Sequence, residues 1–345
     1  MDTRDTPEQA ELRRSARQLA SELGPSTVAD LDDATRAKRL GGAVRDAGWT
    51  ELRSDAGEGR PLASGVEAAI VADALGASVA DVAYSGPLLA ADLARRAGAP
   101  AARDAAVAFS PSLTDAAVIA GSATDTPVYA VDSLVEGDDH AYVLVPEASG
   151  YRLGRVPVAG AAGATTGGSD LTRAVRTIAP GAPLELVASA PTLVTDDDRA
   201  AWAALGLALT SADLVGVMRG VLDVTVAYAA ERRQYGVPVG SFQAVQHLLA
   251  EAHCLLEGSH SVALHASWAV DNLPPHEARA AGRVAKAYCA RAARTVCETA
   301  VQVHGGIGNT WECVAHVYLR RALLSSRWFG DDGDQLRAIE SERLG

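Results

Sequence analysis

The chain has 345 residues, too many for one small core, and that length predicts two or three domains. Hydrophobic residues make up 48% of it and aromatic residues only 5%, so the core must be built mostly from Ala, Val and Leu, which suits closely packed helices. A formal net charge of -12 and a pI near 5.1 argue against nucleic acid or an anionic membrane as partner, since both need a basic footprint.

The N-terminal stretch MDTRDTPEQAELRR carries charge where a signal peptide needs an apolar run, and no later segment approaches about 18 uninterrupted apolar residues; a cytoplasmic location is expected. Cys254, Cys289, Cys297 and Cys313 form no C-x-x-C pair, and in a reducing compartment they are expected to be buried small hydrophobes. No metal site is read from them.

Residues 6–100 read as helices joined by loops. Thr6-Pro7-Glu8-Gln9 has the form of a capping box with Pro at the first helical position. DATRAKRLGGAVRDAG, GVEAAIVADALG and GPLLAADLARRAG follow, each closed by a glycine, a common end for a helix. Between about 101 and 192 the texture changes to short runs rich in Val and Tyr, AAVAFS, AAVIAG, PVYAVDSL, HAYVLVP, YRLGRVPV and LELVAS. Gly, Pro, Asp and Ser separate them, and the pattern predicts a small antiparallel sheet or barrel without a helix of its own.

From Thr195 the helical pattern returns with greater length. TDDDRAAW supplies an N-cap and an acidic first turn, and the apolar periodicity then runs to about Glu231. In SFQAVQHLLAEAHCLLEG, the residues Val245, Leu248, Leu249, Ala252, Leu255 and Leu256 form a one-sided helix stripe. Further helices are expected over about 275–304 and 312–328, making an antiparallel bundle of four. The predicted fold is therefore mainly α with a small β domain: an N-terminal helical domain over 1–100, a β domain over 101–192 and a long four-helix bundle over 193–345.

Two motifs carry more than secondary structure. AVQVHGGIGNTWE (300–312) places Gly305, Gly306 and Gly308 just after a long helix, with Gln302 three residues before the first. Such glycines let bare backbone approach a ligand, and phosphates are the usual ligands for exposed amides. YAAERRQYGVPVGSFQAVQHLLAE (228–251) ends one helix with Arg232 and opens the next with Gln243 and Gln246. Taken alone, Arg232 is a helix-terminal ion-pair residue, the glycines turn the chain between helices, and His304 is structural.

Together with the order of domains, these motifs resemble the acyl-CoA dehydrogenase family of flavoenzymes, through the whole bundle and more weakly upstream. The resemblance implies FAD as cofactor and an acyl-CoA thioester as substrate. It also implies that Arg232, Gln302, Gly305, Gly306, Gly308 and Gln243 serve the ADP portion of a flavin held mainly by an adjacent subunit. A guanidinium fork suits a pyrophosphate oxygen pair.

The family's reaction needs a carboxylate to take the α-proton of the thioester, placed within reach of that proton. The family puts its glutamate at one of two positions, and here Phe329 and Gly206 occupy them. The own-flavin loop of the β domain has no clear counterpart, and no Trp lies between Trp49 and Trp202. This pattern resembles the smaller subunit of heteromeric α2β2 acyl-CoA dehydrogenases of steroid catabolism, which work with a larger homologue as partner. Asp170-Leu171-Thr172-Arg173 within GSDLTRAVRTI (168–178) is similar to a stretch common in those chains, while Asn309 replaces a usual aromatic and Cys313 a common His. Two alternatives stay open: a homo-oligomeric dehydrogenase with a relocated base, for which Asp331 and Glu312 are the carboxylates to test, and a non-redox acyl-CoA binder or scaffold of this fold. Neither a nucleic acid nor a membrane is an expected partner, and the one-sided helices predict an oligomer.

Overall fold

The computed structural model describes residues 1, 3–100, 105–133, 140–158 and 169–344. The chain opens with four helices, α1 (Pro7–Leu23), α2 (Ala34–Asp46), α3 (Gly65–Ala77) and α4 (Ser85–Arg96). The expected capping box is in place: the Gln9 amide donates to Thr6 Oγ1 at 3.2 Å and the Thr6 amide donates to Gln9 Oε1 at 3.0 Å. Gly48 and Gly98 follow α2 and α4 with φ of 70° and 68°. Gly76 differs from the expected terminator: it lies inside α3, where a side chain would run into the backbone carbonyl of Asp213. Gly216 across the gap is bare for the same reason, since a Cβ there would collide with the Asp73 carbonyl. The pair lets two helices approach at backbone distance.

The strands are β1 (Ala106–Phe109), β2 (Val128–Val131), β3 (His140–Glu147), β4 (Gly150–Pro157), β5 (Val175–Ile178) and β6 (Glu185–Leu186), in the order β5-β2-β1-β3-β4-β6. The sheet is mixed, because β1 pairs parallel with β3 while the remaining pairs are antiparallel. The expectation of a purely antiparallel sheet is corrected by that one pair. The run AAVIAG contributes bridges at Ala116 and Val118 and no named strand. Residues 101–104, 134–139 and 159–168, including Gly168 of the GSDLTR segment and the expected start of the β region, lie outside the described residues.

The bundle consists of α5 (Asp196–Glu231), α6 (Gln243–Asn272), α7 (Pro275–His304) and α8 (Ala315–Arg327), and a further helix, α9 (Asp332–Leu344), follows. A two-stranded hairpin, β7 (Arg233–Gln234) with β8 (Val237–Pro238), links α5 to α6. The helix α5 begins at the expected cap, with the Asp198 amide donating to Thr195 Oγ1 at 3.1 Å. It is long and apolar enough to span a bilayer, yet 94% of that apolar window is buried in the protein. Its neighbours satisfy it on every side, which makes it the central post of the molecule. Of the expected stripe on α6, Ala252 and Leu256 are buried, Val245, Leu249 and Leu255 half-buried, and Leu248 exposed. Cys289, Cys297 and Cys313 are buried as expected, whereas Cys254 is exposed on the outer face of α6.

Candidate functional site

The last turns of α5 and α7 lie side by side. The ring of Tyr228 stacks on that of His304 with centroids 4.3 Å apart, and the His304 Nδ1 lies 2.9 Å from the Ala300 carbonyl. His304 is buried in this contact and is structural, as read. Its neighbours point the other way. Gln302 and Gly305 are exposed, and so is Arg232, the residue that caps α5 by donating its amide to the Tyr228 carbonyl at 2.8 Å. From Arg232 the chain passes through the hairpin, whose Val239 amide returns to the Arg232 carbonyl at 2.7 Å, and reaches Gln243, the exposed first residue of α6.

Among the described residues, the side chains of Arg232, Gln302 and Gln243 make no hydrogen bond or ion pair within the chain, whereas Gln246 is committed to the Gly240 carbonyl at 3.0 Å. Gly305 has φ of 66°, a conformation that favours glycine, and a Cβ on Gly305 or Gly306 would meet nothing within 4 Å. Gly308 is different: it is buried, and a Cβ there would stand 2.6 Å from the Val301 carbonyl. Packing alone explains its bareness. The bundle end thus presents an uncommitted guanidinium, two uncommitted amides and open backbone, a donor set that fits the diphosphate end of a nucleotide cofactor.

The interior offers the opposite picture. Phe329 and Gly206, the two positions at which the sequence resemblance expects a base, are in direct contact: a Cβ on Gly206 would collide with the Phe329 ring. Around them Phe109, Trp202 and Trp328 close an aromatic cluster, with Phe329 centroids 5.2 Å from Phe109 and 5.2 Å from Trp202. Trp202 is anchored by donating its indole N–H to the Leu89 carbonyl at 3.0 Å. Phe329 takes a left-handed backbone, φ of 67°, and is pinned there because its amide donates to the Leu113 carbonyl at 2.8 Å and its carbonyl accepts from Gln335 Nε2 at 2.6 Å. The cluster draws on β1, α5 and the segment after α8.

Residues 205–344 match the family model described as "Acyl-CoA dehydrogenase, C-terminal domain". The chain is 36% identical over 173 residues to acyl-CoA dehydrogenase IpdE2 of Mycolicibacterium smegmatis, which covers 50% of each chain. Its fold superposes on a chain of the ChsE4-ChsE5 complex from Mycobacterium tuberculosis with a TM-score of 0.75 and 25% identity, over 100% of this chain and 99% of that one. It superposes on the Tcur3481-Tcur3483 steroid ACAD G363A variant with a TM-score of 0.74 and 20% identity, over 97% of each. Over residues 205–344 the chain carries the acyl-CoA dehydrogenase C-terminal domain. It spans about half the length of the curated relative it matches.

Of the two carboxylates considered for a relocated base, Asp331 caps α9: its Oδ1 accepts from the Asp334 amide at 2.9 Å, and its own amide donates to Asp334 Oδ2 at 3.1 Å. Glu312 is exposed just ahead of α8. Neither is part of the aromatic cluster.

A buried ionic network in this acyl-CoA dehydrogenase fold escaped the sequence reading. Asp213 of α5 accepts from Arg321 of α8 at 3.1 and 2.7 Å and from Ser325 at 2.7 Å, and pairs with Arg173 at 3.0 Å. Burial pushes the Asp213 carboxyl up, but Arg173 and Arg321 together outweigh it and hold the group below the usual carboxylate range. The segment Asp170-Leu171-Thr172-Arg173 therefore has a physical role: Arg173 carries charge from the β region into the bundle, while Asp170 fixes the turn by accepting from the Thr172 amide and hydroxyl, each at 2.8 Å. The available signal was three charges, Asp213, Lys286 and Arg321, standing on otherwise apolar helix faces.

Lys286 of α7 is fully buried and donates to the Ser325 carbonyl. Burial pushes its ammonium down to about 7. The unfolded chain holds that proton up to about 10.4, so between the two values the unfolded state binds more protons and stability rises with pH. Burial raises the neighbouring Cys289 thiol to about 12, an opposing effect that begins above its unfolded value of about 8.5. From about pH 7 to about 8.5 the stability is therefore expected to rise by roughly 1–2 kcal/mol, and in Lys286→Met the rise should vanish. Urea denaturation at three pH values measures both slopes, and equal slopes would show that Lys286 is not the source.

Proposed function

We propose that this chain is the smaller, partner subunit of an FAD-dependent acyl-CoA dehydrogenase that introduces an α,β double bond into a bulky, steroid-type acyl-CoA thioester. The observation that carries the reading is the contrast between its two ends of chemistry. Both expected positions for the base are closed by one aromatic cluster, while at the bundle end Arg232, Gln302 and Gln243 are exposed and uncommitted and the backbone of Gly305 and Gly306 is open. A chain that served only its own substrate would need the reverse.

FAD, when bound, accepts the β-hydride of the thioester. This chain would hold the cofactor's ADP side: Arg232 would supply guanidinium donors to the diphosphate, Gln302 and Gln243 amides, and Gly305 and Gly306 room for close approach. The α-proton goes to a carboxylate of the larger homologue, since none stands at Phe329 or Gly206. The steroid class and the heteromeric arrangement take support from the ChsE4-ChsE5 complex and the Tcur3481-Tcur3483 steroid ACAD as structural neighbours.

The test is the visible spectrum and native mass of the chain purified alone and with a co-expressed larger homologue. The expected result is a colourless protein alone and a yellow complex with about one FAD per pair of unlike chains. A yellow homo-oligomer with one FAD per chain would overturn the reading. In the complex, Arg232→Ala is expected to weaken FAD binding about 10- to 100-fold, the worth of a charge-assisted bidentate contact, and Arg232→Lys to recover only part of it. Flavin release followed by fluorescence gives both numbers.

A further inference from the structure

The segment between α7 and α8 displays large apolar side chains to solvent. Trp311 is 66% exposed, and Ile307, inside the 3-10 turn Gly305–Asn309, is 39% exposed. The indole is nevertheless held in place. The Thr310 amide and hydroxyl both donate to the Ile307 carbonyl, at 2.9 and 2.8 Å, and the amide of the buried Cys313 donates to the Thr310 carbonyl at 3.1 Å. The ring meets His316 edge to face with centroids 5.2 Å apart, and the Arg320 guanidinium lies 5.9 Å from the Trp311 centroid. Arg320 is fixed in turn by donating to the Ser169 carbonyl at 3.2 Å.

One side of α8 continues this surface. Leu323 and Arg327 follow Arg320 at helix-face spacing, and both are exposed. Residues 313–328 contain no Asp, Glu or Lys, in a chain whose formal net charge is -12, and Arg321, the other arginine near the middle of α8, is buried. Aromatic and arginine side chains on a surface from which acids and lysines are withheld have the composition of a protein interface, and Trp and Arg supply many of the hot spots there. A solitary exposed hydrophobic residue would need no explanation. Here Ile307, Trp311 and Leu323 are joined into one strip by the Thr310 turn and by Arg320.

What covers the strip follows from its place in the chain. The proposed function sets the partner's flavin against Gly305 and Gly306, and Trp311 lies five residues beyond Gly306, within about 15 Å. An interface patch of about 800 Å2 is roughly 30 Å across, so a subunit whose flavin rests on those glycines reaches the indole. We infer that Trp311 is the anchor by which this chain docks on the flavin-holding larger homologue. Its indole enters an apolar pocket of that subunit, and Ile307 and Leu323 lie against the pocket's rim. The inference rests on the proposed partner role and adds to it the residue that holds the two chains together.

The test co-expresses the chain with the larger homologue and measures the dissociation constant of the unlike pair by sedimentation of the purified complex. Trp311→Ala is expected to weaken the pair at least about 30-fold, the scale of an interface hot spot, and Trp311→Phe by less. Leu323→Glu, which leaves the indole and its contacts in place, should weaken it about tenfold. The isolated variants should keep the wild-type thermal midpoint, and Leu323→Glu carries the test alone if Trp311→Ala disturbs the fold. FAD affinity, measured at concentrations where the pair stays assembled, should change by less than about threefold. A wild-type pair that Trp311→Ala and Leu323→Glu both leave within about threefold overturns the anchor and leaves the proposed function standing. Unchanged pairing with weakened FAD binding also overturns it, because the indole then serves the cofactor. A wild-type chain that does not pair with the homologue overturns both readings.

Discussion

Asp213→Ala is expected to lower the stability of the chain by about 3–5 kcal/mol, because it leaves two buried guanidinium groups without their shared carboxylate. Arg321 would keep only the Ala80 carbonyl at 2.7 Å and the Thr172 hydroxyl at 3.2 Å, and Arg173 would keep Ser325 at 2.6 Å and Asp132 at 3.6 Å. The loss reaches beyond one helix, since these partners come from the segment after α3, the residue after β2, the segment before β5 and α8. Asp213→Asn keeps the shape and some hydrogen bonds but not the charge, so its cost should also be large. The pH dependence has a definite sign. The folded carboxyl lies below its unfolded value of about 3.9, so its contribution is present above that value and is lost as pH falls through the folded one. Chemical denaturation at neutral and acid pH measures it. A cost below about 1 kcal/mol at neutral pH would show that the network is replaced by water.

Phe329→Ala is expected to cost about 3–5 kcal/mol through the cavity it opens against Gly206, Phe109 and Trp202. The backbone adds a test that packing alone does not. At φ of 67° any residue with a Cβ is strained, so Phe329→Gly should be as stable as Phe329→Ala or more so by up to about 1 kcal/mol, reversing the usual order of the two residues. Glycine clearly less stable than alanine would mean that the segment relaxes out of the left-handed region. Neither variant is expected to gain dehydrogenase activity, because the space it opens contains no carboxylate. Phe329→Glu would bury one without a partner, which is costly in itself.

Much of the local structure could be read directly. The capping boxes at Thr6 and Thr195 rest on contacts only three residues apart, which a linear pattern contains in full. The end of α5 before the hairpin and the glycine turn at Gly305 were legible for the same reason. α9 is not among the expected elements: the sequence offers Asp331 as a carboxylate to test as a base, and its pairing with Asp334 at the helix start emerges only in the fold. The parallel pairing of β1 with β3 was not legible, since strand direction depends on where the chain returns and each run of Val and Tyr looks alike either way.

The same division holds for function. The sequence by itself determined that the bundle carries the motifs of the acyl-CoA dehydrogenase C-terminal domain, because that conclusion depends on residue identity at fixed spacing. The tertiary structure alone decided that Phe329 and Gly206 touch, that Arg173, Asp213 and Arg321 form one buried network, and that Arg13, Arg17 and Arg219 pair with the one carboxylate of Asp73. Those partners are separated by many tens of residues, and whether a charge is paired, buried or left open is set by packing between elements that local pattern does not encode.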